Sequence, residues 1–560
     1  MDDAPLNKPT PAAATAPAST PAPAKAPPQV RIGTVSAVSG FKLSCILFDA
    51  ASPAANAAAY ERAQIGALVK VATPGTVAFG FIDSLALHNP APDGRGQSYA
   101  MAEVELLGEL IARAPGEQHV FARGISTYPT LGASVYPATS ADLARIYAKP
   151  NTWTLAIGSL YQDASRPAYL MSQEFLSKHS AIVGTTGSGK SCALTLILRS
   201  LLDAHPNGHC ILLDPHGEYG VAMDGLAERI TPQNLQLPYW LLAFDEIVEV
   251  LCSRDPVTRS REANILKDAI SAAKHSFLGA EGDEIFVTVD TPSPYRMSSV
   301  VQRISEAMGR LDKPDNTLPY LRLMRTIEDL RQDKRYAFMF DDLTVRDSMA
   351  EVLSRILRIP VSKKPIAIFD LSAVPSEIVN VVVSLVCRLI FDFALWSDRD
   401  EAIPLLLVAD EAHRYIPSDE SLGFEPTRRS IARIAKEGRK YGVSLCLVTQ
   451  RPSEISESIL SQCSTVFALR MSNEKDQNFV RRTLPESAAG LLNTLPTLRQ
   501  QEAIVVGEGV AHPMRVRFAD LDPKYRPKGD ATNFPKAWQG DVHGRDFLGH
   551  IIDRWRRQTR

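Results

Sequence analysis

The chain has 560 residues, enough for roughly three or four average domains, and carries 61 Lys and Arg against 63 Asp and Glu, a formal charge of −2. Near-neutrality excludes a protein that coats nucleic acid with its outer surface, so any contact with DNA must be local, as in a lined channel. Seven scattered cysteines with no Cys-x-x-Cys spacing exclude a disulfide framework and a zinc site, and read as small buried hydrophobes of a reducing compartment.

In chain order, the opening Met1-Asp2-Asp3 leads into no apolar segment, so no secretory signal is expected and the location expected is cytoplasmic. Residues 1–29 hold eight prolines and nine alanines without a periodic apolar face, which predicts an irregular tail. From Val30 the pattern changes to short β-like runs: VRIGTVSAV, FKLSCILF, ALVKVA, TVAFGFIDSL and YAMAEVELLGEL. Turn signals separate them at Gly40, at Pro74-Gly75 and in the NPAPDGRG stretch at 89–96. About five strands at this spacing predict a small β-barrel, which with part of a crossing segment over 116–178 makes a first unit at 30–150.

Gly184-Thr185-Thr186-Gly187-Ser188-Gly189-Lys190-Ser191 fits G-x-x-x-x-G-K-[ST]. Ala181 to Val183 before it read as the end of a buried strand, and the apolar run from Ser191 and Cys192 to Leu202 reads as a helix. Strand, glycine turn and helix start make a nest of N–H groups aimed at phosphates, to which the helix dipole adds positive potential. Lys190 would reach the β- and γ-phosphates and Ser191 would hold Mg²⁺, so Gly184 to Cys192 are the expected nucleotide-binding residues. Asp214-Pro215-His216-Gly217-Glu218-Tyr219 ends a second apolar strand; Asp214 and Glu218 either polarise water, position a neighbour, or form a turn leaving the sheet. His216 has no partner at ligand spacing, so a metal there is not expected.

Residues 151–231 and 361–520 alternate strands and helices, which predicts an α/β fold with a central mostly parallel sheet. Between them, 232–360 shows helical spacing and predicts an inserted helical bundle, interrupted by an extended piece at 284–295. Ile378 to Trp396 is apolar enough to suggest a membrane span, but Asn380, Ser384, Arg388 and Asp392 draw a polar stripe down one face, so a packed helix is expected and no membrane. Leu405 to Val408 suit a strand buried on both faces, with Asp410 and Glu411 at its C-terminal end. Asp410 would hold Mg²⁺ and Glu411 would polarise the attacking water; an acidic pair also suits a helix N-terminus. Asn473-Glu474-Lys475-Asp476 resembles a guanine-reading motif with its lysine one place late and is better read as a helix N-cap, which leaves ATP as the expected nucleotide. Residues 521–560 are a polar tail ending RWRRQTR.

The P-loop, DPHGEY at 214–219, DEAHRYIP at 410–417, EGRKYGV at 437–443 and VTQRP at 448–452, in this order, resemble the HerA family of ring-forming DNA-translocating ATPases, part of the wider FtsK-like group. The resemblance runs from about residue 30 to about 520 and implies a RecA-like P-loop motor behind a HAS-type barrel. It implies ATP and Mg²⁺ as cofactors, a homo-oligomeric ring, a hexamer, and double-stranded DNA in a central channel. It also implies a separate partner, since archaeal members work with a nuclease and bacterial members accompany anti-phage effectors. Gln450 takes the place of the residue that senses the γ-phosphate, unless it only caps its strand. Arg439 is the choice for an arginine finger supplied to the next subunit, with Arg433 in reserve; the cluster of Arg428, Arg429, Arg433, Lys436 and Lys440 around it could instead face DNA phosphates. The tail in such proteins braces a neighbouring subunit, although a frayed basic terminus explains it as well. Two rival readings stay open: a nucleotide-dependent hub that organises an effector without translocating DNA, and an enzyme that uses nucleotide without DNA.

Overall fold

The computed structural model describes residues 30–48, 63–88, 99–111, 120–279, 287–309, 317–340, 345–372, 374, 376–398, 400–484, 489–528, 538–539 and 545–557. The proline-rich stretch 1–29, the turn at 89–96 and the last three residues lie outside them.

Seven strands come first: β1 Gly33–Ser39, β2 Lys42–Leu47, β3 Leu68–Ala72, β4 Val77–His88, β5 Tyr99–Ile111, β6 Val120–Arg123 and β7 Ser134–Pro137. They pair in the order β2-β1-β7-β3-β4-β5-β6, and β2 pairs again with β5, so six antiparallel strands close into a barrel with β6 added outside β5. Alternation explains the fill: Leu43, Cys45 and Leu47 of β2 point inward and meet Val35, Val71, Ile82 and Val104. Gly108 is required by close approach, because a Cβ there would lie 2.2 Å from the Ala122 carbonyl oxygen. The barrel expected from five runs thus has a sixth strand, β7, which lies in the stretch read as a crossing segment. Four residues are too few to show a period of two, and β7 acquires its identity only by filling the gap between β1 and β3.

The second sheet is built from β8 Thr154–Leu160, β9 Pro167–Met171, β10 His179–Val183, β11 Cys210–Asp214, β12 Ala227–Ile230, β13 Ile366–Asp370, β14 Leu405–Ala409, β15 Val443–Thr449, β16 Cys463–Leu469, β17 Glu502–Gly507 and β18 Met514–Phe518. Its order is β12-β13-β11-β14-β15-β10-β16-β17-β18-β8-β9; the strands from β12 to β16 are parallel and the remainder antiparallel. Strands β10, β11, β13, β14 and β15 are buried at every residue, as central parallel strands covered on both faces must be. The fold is therefore α/β, a RecA-like P-loop motor behind an N-terminal barrel.

The insert joins β12 to its sheet neighbour β13 and contains the helices Phe244–Leu251, Pro256–Leu278, Met297–Met308, Leu318–Gln332 and Met349–Leu357. Residues 287–295, expected to be extended, form turns and irregular chain: the Thr288 amide donates to Thr291 Oγ1, the Asp290 amide to Thr288 Oγ1, and Pro292 and Pro294 offer no donor to a ladder. The 19 residues Ile378 to Trp396 have a mean hydropathy of 2.2, yet 72% of the stretch is buried inside the protein. Its polar stripe fastens it to the insert, with Ser384 Oγ donating to Glu246 Oε1 at 2.6 Å and Arg388 meeting Glu246 Oε2 at 3.1 Å. Asn473 caps the helix Glu474–Thr483 as expected, its side chain accepting from the Lys475 amide. Barrel and motor are pinned together: Arg123 donates to the carbonyls of Val510 and Ala511 at 2.8 Å, and the Gly490 amide donates to the buried Glu105 at 2.7 Å.

Candidate nucleotide site

Parallel order places the C-terminal ends of β11, β14, β15, β10 and β16 side by side, and every residue singled out for nucleotide chemistry except Arg439 lies along that edge. The loop after β10 begins at Gly184, where a Cβ would fall 2.8 Å from Leu469 Cβ and 2.9 Å from Ser188 Oγ. Thr185 donates its amide to the Arg470 carbonyl at 3.0 Å, and the Ser188 amide returns to Thr185 O at 3.2 Å. Gly187 at φ 73° and Gly189 at φ 103° adopt left-handed backbone that a side chain would strain, and with them the loop turns into the helix Lys190–Ala204. Ser191 and Cys192 fall in that helix's first turn. Burial raises the Cys192 thiol, with Glu218 adding and Arg526 opposing.

Lys190 is 8% exposed and donates to its own loop at Thr185 O, 3.1 Å away. Burial lowers its pKa, while Glu411, Asp410 and Glu218 oppose the shift, so the ammonium faces three carboxylates. Asp410 lies at the end of β14, separated from β10 by β15. Burial first, then the charge of Glu411, raises the Asp410 carboxyl to about 7. Glu411 takes left-handed backbone at φ 50° immediately after the strand end. Its Oε2 is buried, receives no hydrogen bond among the described residues, and lies 3.3 Å from His413 Nδ1. A buried acceptor left without a donor costs free energy unless something else fills the pocket. Gln450, just past β15, accepts a hydrogen bond from the Thr186 hydroxyl and so touches the P-loop.

The residues present fit a magnesium nucleotide. Mg²⁺ takes oxygen ligands and is commonly held by one or two carboxylates together with substrate phosphates. Ser191 and Asp410 offer such oxygens, and among the described residues no cluster of three or more His, Cys, Asp or Glu could hold a metal by itself.

Of the alternatives open for Asp214, its surroundings fit the turn that leaves the sheet. It is wholly buried, and its carboxylate accepts the amides of His216, Gly217, Glu218 and Tyr219 at 2.8 to 3.2 Å, so it organises the turn. Arg439 lies at the other end of the sheet, donating to Gln462 O at 2.9 Å and Ser464 Oγ at 2.6 Å where β16 begins. Three residues enter the site unassigned by sequence. Tyr219 meets Asp410, and His413 lies between Glu411 and Thr449 Oγ1; both belong to motifs already quoted, so their positions were available. Gln500 Nε2 reaches Gly187 O at 3.5 Å from a loop that carries no local signal.

A phosphate-binding nest on a central parallel strand, a buried acidic pair one strand removed and a polar strand-end residue touching the nest together define a P-loop ATPase of the helicase type. Residues 155–390 match the family model described as the central domain of helicase HerA. The chain is 26% identical over 474 residues to the DNA double-strand break repair helicase HerA of Pyrococcus furiosus, covering 77% of this chain and 78% of that protein. It is 26% identical over 419 residues to the HerA of Sulfurisphaera tokodaii, covering 73% and 77%. Among solved structures, VirB4 of Thermoanaerobacter pseudethanolicus is similar with a TM-score of 0.47 and 14% identity, over 67% of this chain and 98% of that one. The chain is thus a P-loop ATPase by its site and is similar to the HerA helicases over most of its length.

Proposed function

We propose that this chain is an ATP-driven, cytoplasmic ring motor, a hexamer, that draws double-stranded DNA through its centre and works with a separate nuclease or anti-phage effector. ATP binds at Gly184 to Cys192, with Lys190 on the β- and γ-phosphates. Mg²⁺, held by Ser191 and Asp410, neutralises phosphate charge. Glu411 orients and polarises the attacking water, Gln450 reports the γ-phosphate to the P-loop through Thr186, and Arg439 serves the neighbouring subunit.

The observation that carries the reading is the separation of Arg439 from its own pocket. Arg439 sits beside the start of β10, close enough to His179 to help lower that imidazole, whereas the P-loop follows the strand's end. Five residues of extended chain span about 16 Å, so Arg439 cannot reach its own nucleotide. Among the described residues its charge also has no ion pair: Arg428 pairs with Glu420, Arg429 with Asp245 and Glu425, and Arg433 with Asp392, while Arg439 meets neutral acceptors. An arginine placed this way supports completion of each site by an adjoining copy. The HerA relatives named above are repair helicases by their names, which supports DNA as the substrate.

The test is phosphate release measured with and without linear duplex DNA, alongside electron microscopy of the same sample. Rings whose turnover rises with DNA length are expected. Rings with turnover indifferent to DNA would replace the motor with an assembly hub, and a fully active monomer would overturn the shared site.

A further inference from the structure

The motif DPHGEY holds, besides Asp214, one buried polar side chain that the proposed function does not use, Tyr219. Asp214 spends its carboxylate on four backbone amides and thereby fixes the turn that ends at Tyr219. The turn needs Gly217 at φ 71°, where a Cβ would meet Ser372 Oγ at 3.1 Å and both Asp370 carboxylate oxygens at 3.3 Å. So constrained, the Tyr219 side chain is wholly buried and its hydroxyl donates to Asp410 Oδ2 at 3.2 Å. The other oxygen, Oδ1, accepts the Glu411 amide at 2.9 Å.

We infer that Tyr219 is a positioning residue for the metal site, its phenol holding Asp410 Oδ2 while the Glu411 amide holds Oδ1, so that the carboxylate is oriented before Mg²⁺ arrives. The inference rests on the P-loop ATPase reading and deepens it. One donor on each Asp410 oxygen fixes the plane of the carboxylate while leaving lone pairs free, which is what an outer hydrogen bond does for a ligating group. A packing role alone would need only the ring; the hydroxyl is what distinguishes the two.

Tyr219→Phe keeps the ring and removes the hydroxyl. Binding of a fluorescent ATP analogue to the full chain is measured in EDTA and across a Mg²⁺ titration, with Mn²⁺ in parallel. The expected result is unchanged affinity in EDTA and a Mg²⁺ midpoint raised about 10-fold, with turnover recovering at high Mg²⁺. Thermal unfolding confirms that the variant is folded. A wild-type Mg²⁺ midpoint overturns the inference, and so does an affinity loss of equal size in EDTA and in Mg²⁺, which would assign the phenol to packing. Ser191→Ala and Asp410→Asn separate the two levels: if they shift the midpoint and Tyr219→Phe does not, only the inference fails, whereas silence in all three overturns the metal site and the inference with it.

Discussion

Replacing Glu411 by Gln keeps the side chain's shape while removing its charge and its capacity to take a proton. The side chain is 13% exposed and, among the described residues, Oε2 has no hydrogen-bond donor, so the substitution opens no cavity and removes no hydrogen bond. It also removes one of the negative charges that raise Asp410 to about 7 and, against that, one of the charges attracting Lys190, so folding stability should stay close to level. Catalysis should respond in the opposite direction. Positioned general-base assistance contributes about 10²- to 10⁴-fold, which at about 1.4 kcal/mol per decade is roughly 3 to 5 kcal/mol of barrier. Nucleotide affinity should be unchanged or tighter, because a triphosphate entering beside Lys190 then meets one fewer carboxylate. Phosphate release at saturating ATP, analogue binding and thermal unfolding read these three quantities separately. Turnover within fivefold of wild type, with affinity and stability intact, would remove Glu411 from the chemistry and make the acidic pair a structural strand end.

Lys190→Ala removes the cation facing Asp410, Glu411 and Glu218, and should abolish turnover and weaken ATP-analogue binding by about 100-fold or more in a titration. Arg439→Ala should abolish turnover, with a loss of about 10³-fold or more, and leave nucleotide binding and ring formation unchanged; Arg433→Ala, whose charge is committed to Asp392, should lose little. Turnover per protomer should fall on dilution below the assembly concentration, followed by light scattering. His512 provides a pH dependence at the barrel–motor junction, where its ring lies 4.5 Å from that of Phe121. Burial, aided by Arg123, lowers its pKa to about 4, so the unfolded chain takes the proton first. Stability is therefore full above about pH 6.5 and is lost as pH falls toward 4, by up to about 3 kcal/mol. His512→Leu should flatten that slope in unfolding midpoints measured between pH 7 and 4; His179, likewise lowered to about 4, supplies a remaining part.

What the sequence determined by itself was local chemistry. Eight consecutive residues suffice for a phosphate nest, since the nest is built from its own backbone between one strand and one helix. The apolar run before Asp410 likewise declared a buried strand with carboxylates at its end, and the stripe at Asn380, Ser384, Arg388 and Asp392 showed a packed helix before any packing was visible. Tertiary structure decided which distant pieces meet. SVYP at 134–137 is a strand only because β1 and β3 leave room for it. Tyr219 finds Asp410 across 191 positions, and Arg439 falls at the far end of the sheet from Lys190. Which arginines of one crowded helix find an ion pair depends on Asp245, Asp392 and Glu420, carried by other elements. Periodicity reports how a segment presents itself to some core or solvent. Strand order and charge pairing are instead set by contacts between segments, and those exist only once the chain has closed on itself.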